Sequence, residues 1–509
     1  MCSDIAWLLN LDLEPEPRSF ELKGLEWIHR AEPFLKPSPD QIIEEKKAGG
    51  RREPIVVPQS KESKSLLHCK PSCQPAAKPP KLFEIPSTQP QSIPDLKDEI
   101  PTLNVVFLGH KKSGKSSILG RILYDFGYFD DKLLHRFRRD SSKANIENGE
   151  FAWAVDLLLQ EKQLGTVSCF SESIRTEQKV LHLLDTPGSS EYFTEYISGA
   201  AQADLCVIVV DSTVKKKRIE SRVVEPTKEL AFLARSYGVS QVIVAVSRSE
   251  VIPQEIESSV LPVIQQAGFK PENIRFVPVS PVEGVNVTLR ASDQPCLFEL
   301  IQEAEPPKPN LQNLVFRVED CYRLVHGSLL GHSISGKILS GFIKPNSKVQ
   351  IPQVNFSAQI KEVEKGGQKV NLAFAGDSVD FTLKKFTGNF EKIKPGQVVS
   401  SSQLKLPQKL VIRGVTGEIK APVTKNMQML LHMGSTRVPV KVTRITKEIQ
   451  GRQVKPNPRA LWSKKMGELE VLCERPTPCA TFKENPTLSR VVLTYSGKIM
   501  LAGIVMNTL

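Results

Sequence analysis

No stretch of about eighteen consecutive apolar residues occurs in the 509 residues, so the sequence offers no hydrophobic helix of membrane-spanning length. The opening stretch, MCSDIAWLLNLDLEPEP, has an acidic start and no basic n-region, which argues against a secretory leader. Cysteine is sparse, with nine residues scattered along the chain. Cys69 and Cys73 lie close together, but no second pair stands at zinc-site spacing. An intracellular, reduced protein is the simplest reading of that scatter. Acidic excess is also missing. The formal net charge of +12 fits acidic partners such as RNA or a ribosome surface, and it fits equally a merely solvated basic surface. With 40% hydrophobic and 24% charged residues, the composition is that of a globular protein, and the length suggests roughly three or four domains.

The first hundred residues differ from the rest. From Glu45 to Asp98 the text is rich in Lys, Pro, Ser and Gln, and such a segment cannot bury enough apolar surface to offset its chain entropy. Residues 1–100 therefore read as a largely disordered arm. Two apolar islands interrupt it: Ile5 to Leu11, which holds Trp7, Leu8 and Leu9, and Leu25 to Ile28, which holds Trp27. The second is followed by Phe34, Leu35, Pro37, Ser38, Pro39, Asp40, Ile42 and Ile43. Islands of this kind serve as anchors that order on a partner surface, or as a small helix docked on the protein's own body.

From Leu103 short apolar runs alternate with helical stretches. Leu103–Leu108, Val180–Leu184, Leu205–Val210 and Gln241–Val246 read as buried strands, and Pro226–Tyr237 as a helix. That alternation predicts an α/β domain over 101–305 with a parallel sheet covered by helices on both faces. After Pro306 the pattern turns to short β-runs with glycine turns, as in Gly336–Gly341 and Lys394–Val399. Two β-barrel domains are expected, over 306–404 and 405–509.

The segment Gly109-His110-Lys111-Lys112-Ser113-Gly114-Lys115-Ser116 fits G-x-x-x-x-G-K-[ST] and stands between the first strand and a helical stretch from Ser117 to Tyr124. In that context backbone N–H groups curl around phosphate oxygens, Lys115 reaches the β- and γ-phosphates, and the Ser116 hydroxyl sits on Mg2+. Asp185-Thr186-Pro187-Gly188 follows another strand. Its aspartate is placed to hold Mg2+ through water, and the Gly188 N–H to meet a γ-phosphate. The two motifs together predict a P-loop nucleoside triphosphatase fold.

On these motifs the chain resembles the elongation factor one-alpha-like translational GTPases, and within them the Hbs-one and Ski-seven branch. Gly199–Asp204 and Val209-Val210-Asp211 are similar to that family's G domain, Gly336–Ile343 with Lys394-Pro395-Gly396 to its second domain, and Leu493–Gly503 to its third. The resemblance implies GTP as the ligand and Mg2+ as the cation, with Ser116 and Asp185 as metal residues. It places Ser117 in the phosphate site, Ser247, Arg248 and Glu250 at the guanine loop, and Ser280 at the final base loop.

The chain departs from the family at the residues of hydrolysis and switching. Ser189 stands where the family has the histidine that positions the attacking water, and a short neutral hydroxyl serves that role poorly. Gln163-Leu164-Gly165-Thr166-Val167 replaces the first-switch R-G-x-T run, so the arginine is changed and the threonine position falls on Val167, which has no oxygen for a metal, with Thr166 able to serve only if the loop shifts by one residue. Ser247-Arg248-Ser249-Glu250 replaces N-K-x-D, and Lys112 replaces an acidic loop residue. This selective pattern points to a pseudo-GTPase with no catalytic residue of its own, holding an unhydrolysed triphosphate as a structural element.

Ski-seven-like proteins bridge the cytoplasmic RNA exosome to the Ski helicase complex in 3′-5′ mRNA decay and in surveillance of nonstop or stalled mRNA. That branch also carries a serine after D-x-P-G, a long partner-binding arm, and a P-S-P-D-x-I-I segment that Pro37–Ile43 matches. The resemblance implies a cytoplasmic, monomeric adaptor, with Phe34, Leu35, Ile42 and Ile43 as exosome anchors and Trp7, Leu8, Leu9 and Trp27 for either complex. An Hbs-one-like rescue GTPase acting on ribosomes with a Pelota-type partner is the alternative. A nucleotide-independent RNA binder using Lys215-Lys216-Lys217-Arg218 is a third.

Overall fold

The computed structural model describes residues 100–508, apart from 145, 147, 156–168, 292, 327–328 and 452. The arm with its anchors and the first-switch text lie outside the described residues.

The first unit is a six-stranded sheet. Its strands are β1 (Thr102–Leu108), β2 (Phe170–Arg175), β3 (Val180–Asp185), β4 (Leu205–Asp211), β5 (Gln241–Ser247) and β6 (Ile274–Val279), in the order β2-β3-β1-β4-β5-β6. Five strands are parallel, but β2 runs antiparallel to β3, which corrects the expectation of a wholly parallel sheet. The reason is the connection. Thr176 and Lys179 close a tight turn, with the Lys179 carbonyl accepting from the Thr176 N–H at 2.9 Å, and so short a link can only make a hairpin.

Alternation along β1 divides the apolar side chains between two faces. Leu103, Val105 and Phe107 pack with helices α1 (Lys115–Asp125) and, near the end of the unit, Leu297, Leu300 and Ile301. Val106 and Leu108 pack on the opposite face with Phe193, Ile197, Leu230 and Val260. The short helices α2 (Asp131–Lys143) and α3 (Glu150–Val155) follow α1; α4 (Phe193–Gln202), α5 (Glu225–Ser236) and α6 (Gln254–Gln266) cover the second face, and α7 (Leu297–Glu303) closes the unit. The basic run at Lys216–Arg218 forms an exposed 3-10 turn, with Lys216 paired to Glu255 at 2.5 Å.

The remaining chain forms two closed six-stranded antiparallel barrels, each with a short extra strand on one edge. Both are docked on the sheet unit. Val492, Ile499 and Ala502 of the second barrel are buried inside the core cluster of α4, α5 and β4. Full burial stabilises by about 1.5–3 kcal/mol for each of the valine and isoleucine side chains. The first barrel is joined by a polar seam instead. Lys337 Nζ donates to Asp204 Oδ1 at 3.0 Å and to the Gln202 carbonyl at 2.6 Å. Asn104 donates to Asp204 and to the Gly376 carbonyl, and Ser378 donates to Asn104. Lys365 and Asp377 pair at 2.8 Å, and Thr102 donates to Asp377 at 2.7 Å. Among the described residues, no helix is long and apolar enough to cross a membrane.

Candidate functional site

The phosphate-loop motif occupies the turn between β1 and α1, as its spacing requires. Gly114 sits immediately before the helix with φ 101°, a conformation that a side chain would strain. His110, Lys111 and Lys112 are exposed at the crest, and Lys112 itself has φ 66°. Ser113 and Lys115 are buried, while Ser116 and Ser117 are half-buried on the first turn of α1. Lys115 turns its ammonium back into the loop and donates to the Gly109 carbonyl at 3.1 Å and the His110 carbonyl at 3.4 Å.

Asp185 ends β3 beside this loop because β3 pairs with β1 in parallel, with Asp185 opposite Phe107. Ser116 Oγ donates to Asp185 Oδ2 at 2.5 Å, so the hydroxyl and carboxylate expected to share a metal are brought together. Thr186 Oγ1 donates to the Phe107 carbonyl at 2.7 Å and ties the D-T-P-G turn to β1. Gly188 lies against the crest. A Cβ there would meet the Lys111 backbone at 2.6 Å and Lys115 Nζ at 2.9 Å, so this position takes glycine alone. The next residue, Ser189, spends its side chain locally. Its Oγ accepts from the Glu191 N–H at 3.4 Å and caps the 3-10 turn Ser190–Tyr192.

The text expected at the guanine loop follows β5. Ser247 is fully buried, and its Oγ donates to the Ser113 carbonyl at 2.6 Å. Arg248 reaches across, donating to Asp211 Oδ2 at 2.6 Å and to the Lys112 carbonyl at 3.1 Å. Glu250 is exposed. Ser280, after β6, already uses its backbone: its N–H donates to the Val285 carbonyl at 3.0 Å, and its carbonyl accepts from Gly284 and Val285. The structure therefore gathers Gly109 to Ser117, Asp185, Gly188, Ser247 and Arg248 around one loop, and places Glu250 and Ser280 on the neighbouring connections.

Two contributors escaped the sequence reading. Tyr196 on α4 donates its hydroxyl to the Gly109 carbonyl at 2.8 Å, and burial pushes that phenol well above its ordinary range. Asp211 is the ion-pair partner of Arg248. Tyr196 carries no motif, so only packing of α4 could reveal it. Asp211 was visible in Val209-Val210-Asp211, but nothing local assigns it a partner 37 residues away.

The donor set suits a nucleoside triphosphate with its cation: a glycine-permitted loop opening a helix, an ammonium at its centre, and a hydroxyl and carboxylate in contact. Residues 100–322 match the elongation factor Tu GTP-binding domain, and residues 410–506 match the GTP-eEF1A C-terminal domain-like family. The chain carries an elongation factor Tu-type GTP-binding domain. Protein HBS1 of Drosophila melanogaster is 28% identical over 429 residues, covering 80% of this chain and 63% of its own length. An elongation factor 1-alpha of Thermofilum pendens is 26% identical over 81% of this chain and 98% of its own. In fold, the chain is similar to the Ski7 GTPase-like domain of S. cerevisiae, solved bound to GDP and inorganic phosphate and also to GTP. The TM-scores are 0.65 and 0.63, at 18% and 17% identity, with 80% of this chain and 97% of the Ski7 chain covered in each case.

Proposed function

We propose that this chain is a cytoplasmic GTP-binding adaptor of the elongation factor 1-alpha-like translational GTPases that holds its nucleotide without turning it over, and that its arm bridges the RNA exosome and the Ski helicase complex in mRNA decay. The observation that carries the reading is the contrast inside one turn. Gly188 fits tightly against an intact phosphate loop, whereas the next residue, Ser189, is a serine engaged in capping its own turn. The gripping groups are Gly114, Lys115, Ser116, Asp185 and Gly188. Ser116 and Asp185 would hold Mg2+, which neutralises phosphate charge when bound. No side chain at position 189 is suited to orient an attacking water.

Arg248 supports the same reading from the other side of the loop. Its pairing with Asp211 and its bond to Lys112 brace the crest from the base-loop side, in keeping with nucleotide used as a fixed part of the fold. The bridging role rests on the arm's anchors and on the resemblance to the Ski7 GTPase-like domain in fold. The test has two parts. Nucleotide released from the purified full chain is identified by mass spectrometry, and single-turnover hydrolysis is followed with and without ribosomes. Co-purified GTP with negligible turnover supports the proposal; turnover comparable to a competent family member overturns it.

The relationship to HBS1 favours one second reading, a ribosome-rescue GTPase acting with a Pelota-type partner. Ribosome-stimulated hydrolysis in the presence of that partner would select it over the adaptor.

A further inference from the structure

The formal net charge of +12 is not spread over the chain. Residues 405–509 hold eighteen Lys or Arg and six Glu, so they carry all of it, and residues 1–404 balance. Some of these cations are committed inside the protein. Arg437 pairs with Glu195 at 2.7 Å, and Arg490 donates to the Ser236 carbonyl at 3.3 Å, both across the seam with the sheet unit. Others gather on one outward face of the second barrel.

That face is built by β7 (Lys409–Thr416), β8 (Thr436–Gln450) and β9 (Met466–Cys473), with β9 in the middle. Leu410, Ile412, Val440, Val442, Leu469 and Val471 fill the core, so their neighbours point outward. Pairing lines up three rows across the face: Lys409, Leu472 and Lys441; Val411, Glu470 and Arg444; Arg413, Glu468 and Lys447. Five cations therefore meet two carboxylates. Lys409 pairs with Glu470 at 3.1 Å, Lys447 with Glu468 at 2.9 Å, and Arg413 also with Glu468. Burial works to raise the Glu468 carboxyl, but bonds from Lys447 and Arg413 hold it below its ordinary value, so its charge counts in full. Lys441 has no carboxylate partner among the described residues, and Arg444 donates to Asn457 at 2.7 Å instead.

The three strands lead to one end of the barrel, where Trp462 stands. Thr416, the last residue of β7, donates its hydroxyl to the Trp462 carbonyl at 2.5 Å. Leu461 is buried in the core and Trp462 is 58% exposed, so the indole faces outward. Lys464 and Lys465 follow it, paired with Glu418 at 2.7 Å and Glu448 at 3.7 Å. The pairing of Thr424 with Ala460 brings the exposed Lys425 and Arg459 to the same end, neither with a carboxylate partner among the described residues. Along β7 the strip is about 24 Å long. A cationic strip ending in an exposed indole matches single-stranded RNA, whose phosphates follow the cations and whose unpaired bases offer flat rings to stack. An acidic peptide satisfies the cations alone, and a duplex keeps its bases inside.

We propose that this outer face of the second barrel binds single-stranded RNA, with phosphates on Lys441, Arg444 and Lys447 and an unpaired base stacked on Trp462. The adaptor reading puts its contacts in the arm and its nucleotide at the phosphate loop; this grip on RNA uses neither.

Fluorescence anisotropy of the full chain with a labelled oligouridylate of about 20 nucleotides, at about 50 and 200 mM salt, tests this. Binding is expected without added GTP and weakens as salt rises. Trp462→Ala is expected to weaken it about tenfold, and Trp462→Tyr, which keeps a ring, to recover most of the loss. Lys441→Glu with Arg444→Glu breaks no ion pair of the body. It is expected to weaken binding at least about tenfold and to flatten the slope of log affinity against log salt by about 1.4. Thermal melts and GTP affinity should match the parent in every variant. GTP binding absent while RNA binding persists would count against the adaptor reading alone. No binding at the lower salt, parent-like affinity in Trp462→Ala, or duplex RNA or polyglutamate held as tightly as the oligouridylate overturns the proposal.

Discussion

Replacing Asp377 by alanine tests the polar seam at the point where it is most buried. Asp377 Oδ1 accepts from Thr102 Oγ1 at 2.7 Å and pairs with Lys365 Nζ at 2.8 Å, and Oδ2 accepts from the Phe374 N–H at 2.9 Å. Both members of the ion pair have side chains only 6% exposed. Alanine leaves the Lys365 ammonium buried against the Ile100 carbonyl and leaves Thr102 without its Asp377 acceptor. Removing one partner of a buried pair costs about 3–5 kcal/mol, because the remaining charge is desolvated and uncompensated. For a cooperative unit of 150–250 residues each kcal/mol lowers Tm by about 2–4 °C, so a fall of at least about 6 °C is expected in a thermal melt. The paired change Lys365→Met with Asp377→Leu removes both charges and is expected to recover most of the loss. Because the seam joins β1 to the first barrel, the alanine variant should also show a larger radius of gyration by small-angle scattering. A melt within about 1 °C of the parent, or a double variant no better than the single one, would refute the view that this buried pair, through its bonds to Thr102 and the Ile100 carbonyl, holds the two units together.

Four other outcomes are expected. Gly188→Ala places a methyl group against the Lys111 backbone, and GTP affinity by titration calorimetry should fall by at least about a hundredfold, with circular dichroism unchanged. Ser189→His should not restore hydrolysis, because Val167 still replaces the first-switch threonine; brisk phosphate release from that single variant would sink the pseudo-GTPase reading. Arg248→Ala removes a partly exposed ion pair, so it should cost no more than about 1 kcal/mol in stability while weakening nucleotide binding severalfold. His432 is 1% exposed, and burial lowers its pKa to about 4. A depressed histidine favours protonation of the unfolded chain, so stability should fall as pH drops from about 6.5 towards 4, by about 3 kcal/mol from this group. Urea midpoints at the two ends should differ less in His432→Gln.

Much of the architecture was legible because it rests on local signals. Four strands of the sheet unit, β1, β3, β4 and β5, announce themselves as short apolar runs, and the phosphate loop as a glycine pattern between strand and helix; β6 was not read from the sequence. The barrels were visible as β-runs broken by glycine turns. The antiparallel edge strand was not visible, since Phe170–Arg175 carries no apolar run, with only Ile174 buried. At the site, Ser116 and Asp185 could be paired from motif knowledge alone. Tyr196 and the Arg248–Asp211 contact could not, because each joins residues far apart in sequence whose side chains have no motif in common.

The sequence by itself determined the glycine loop between β1 and α1 and the identity of the residues around it. A loop of backbone N–H groups needs only glycine at Gly114 and a following helix, and both are local properties. That Ser189 is a serine is likewise a fact of the text. Only the tertiary structure decided what Ser189 does, which is to cap its own turn. It alone set the apolar docking of the second barrel and the charged docking of the first, because Val492, Lys337 and Asp377 meet their partners across 133 or more positions of chain.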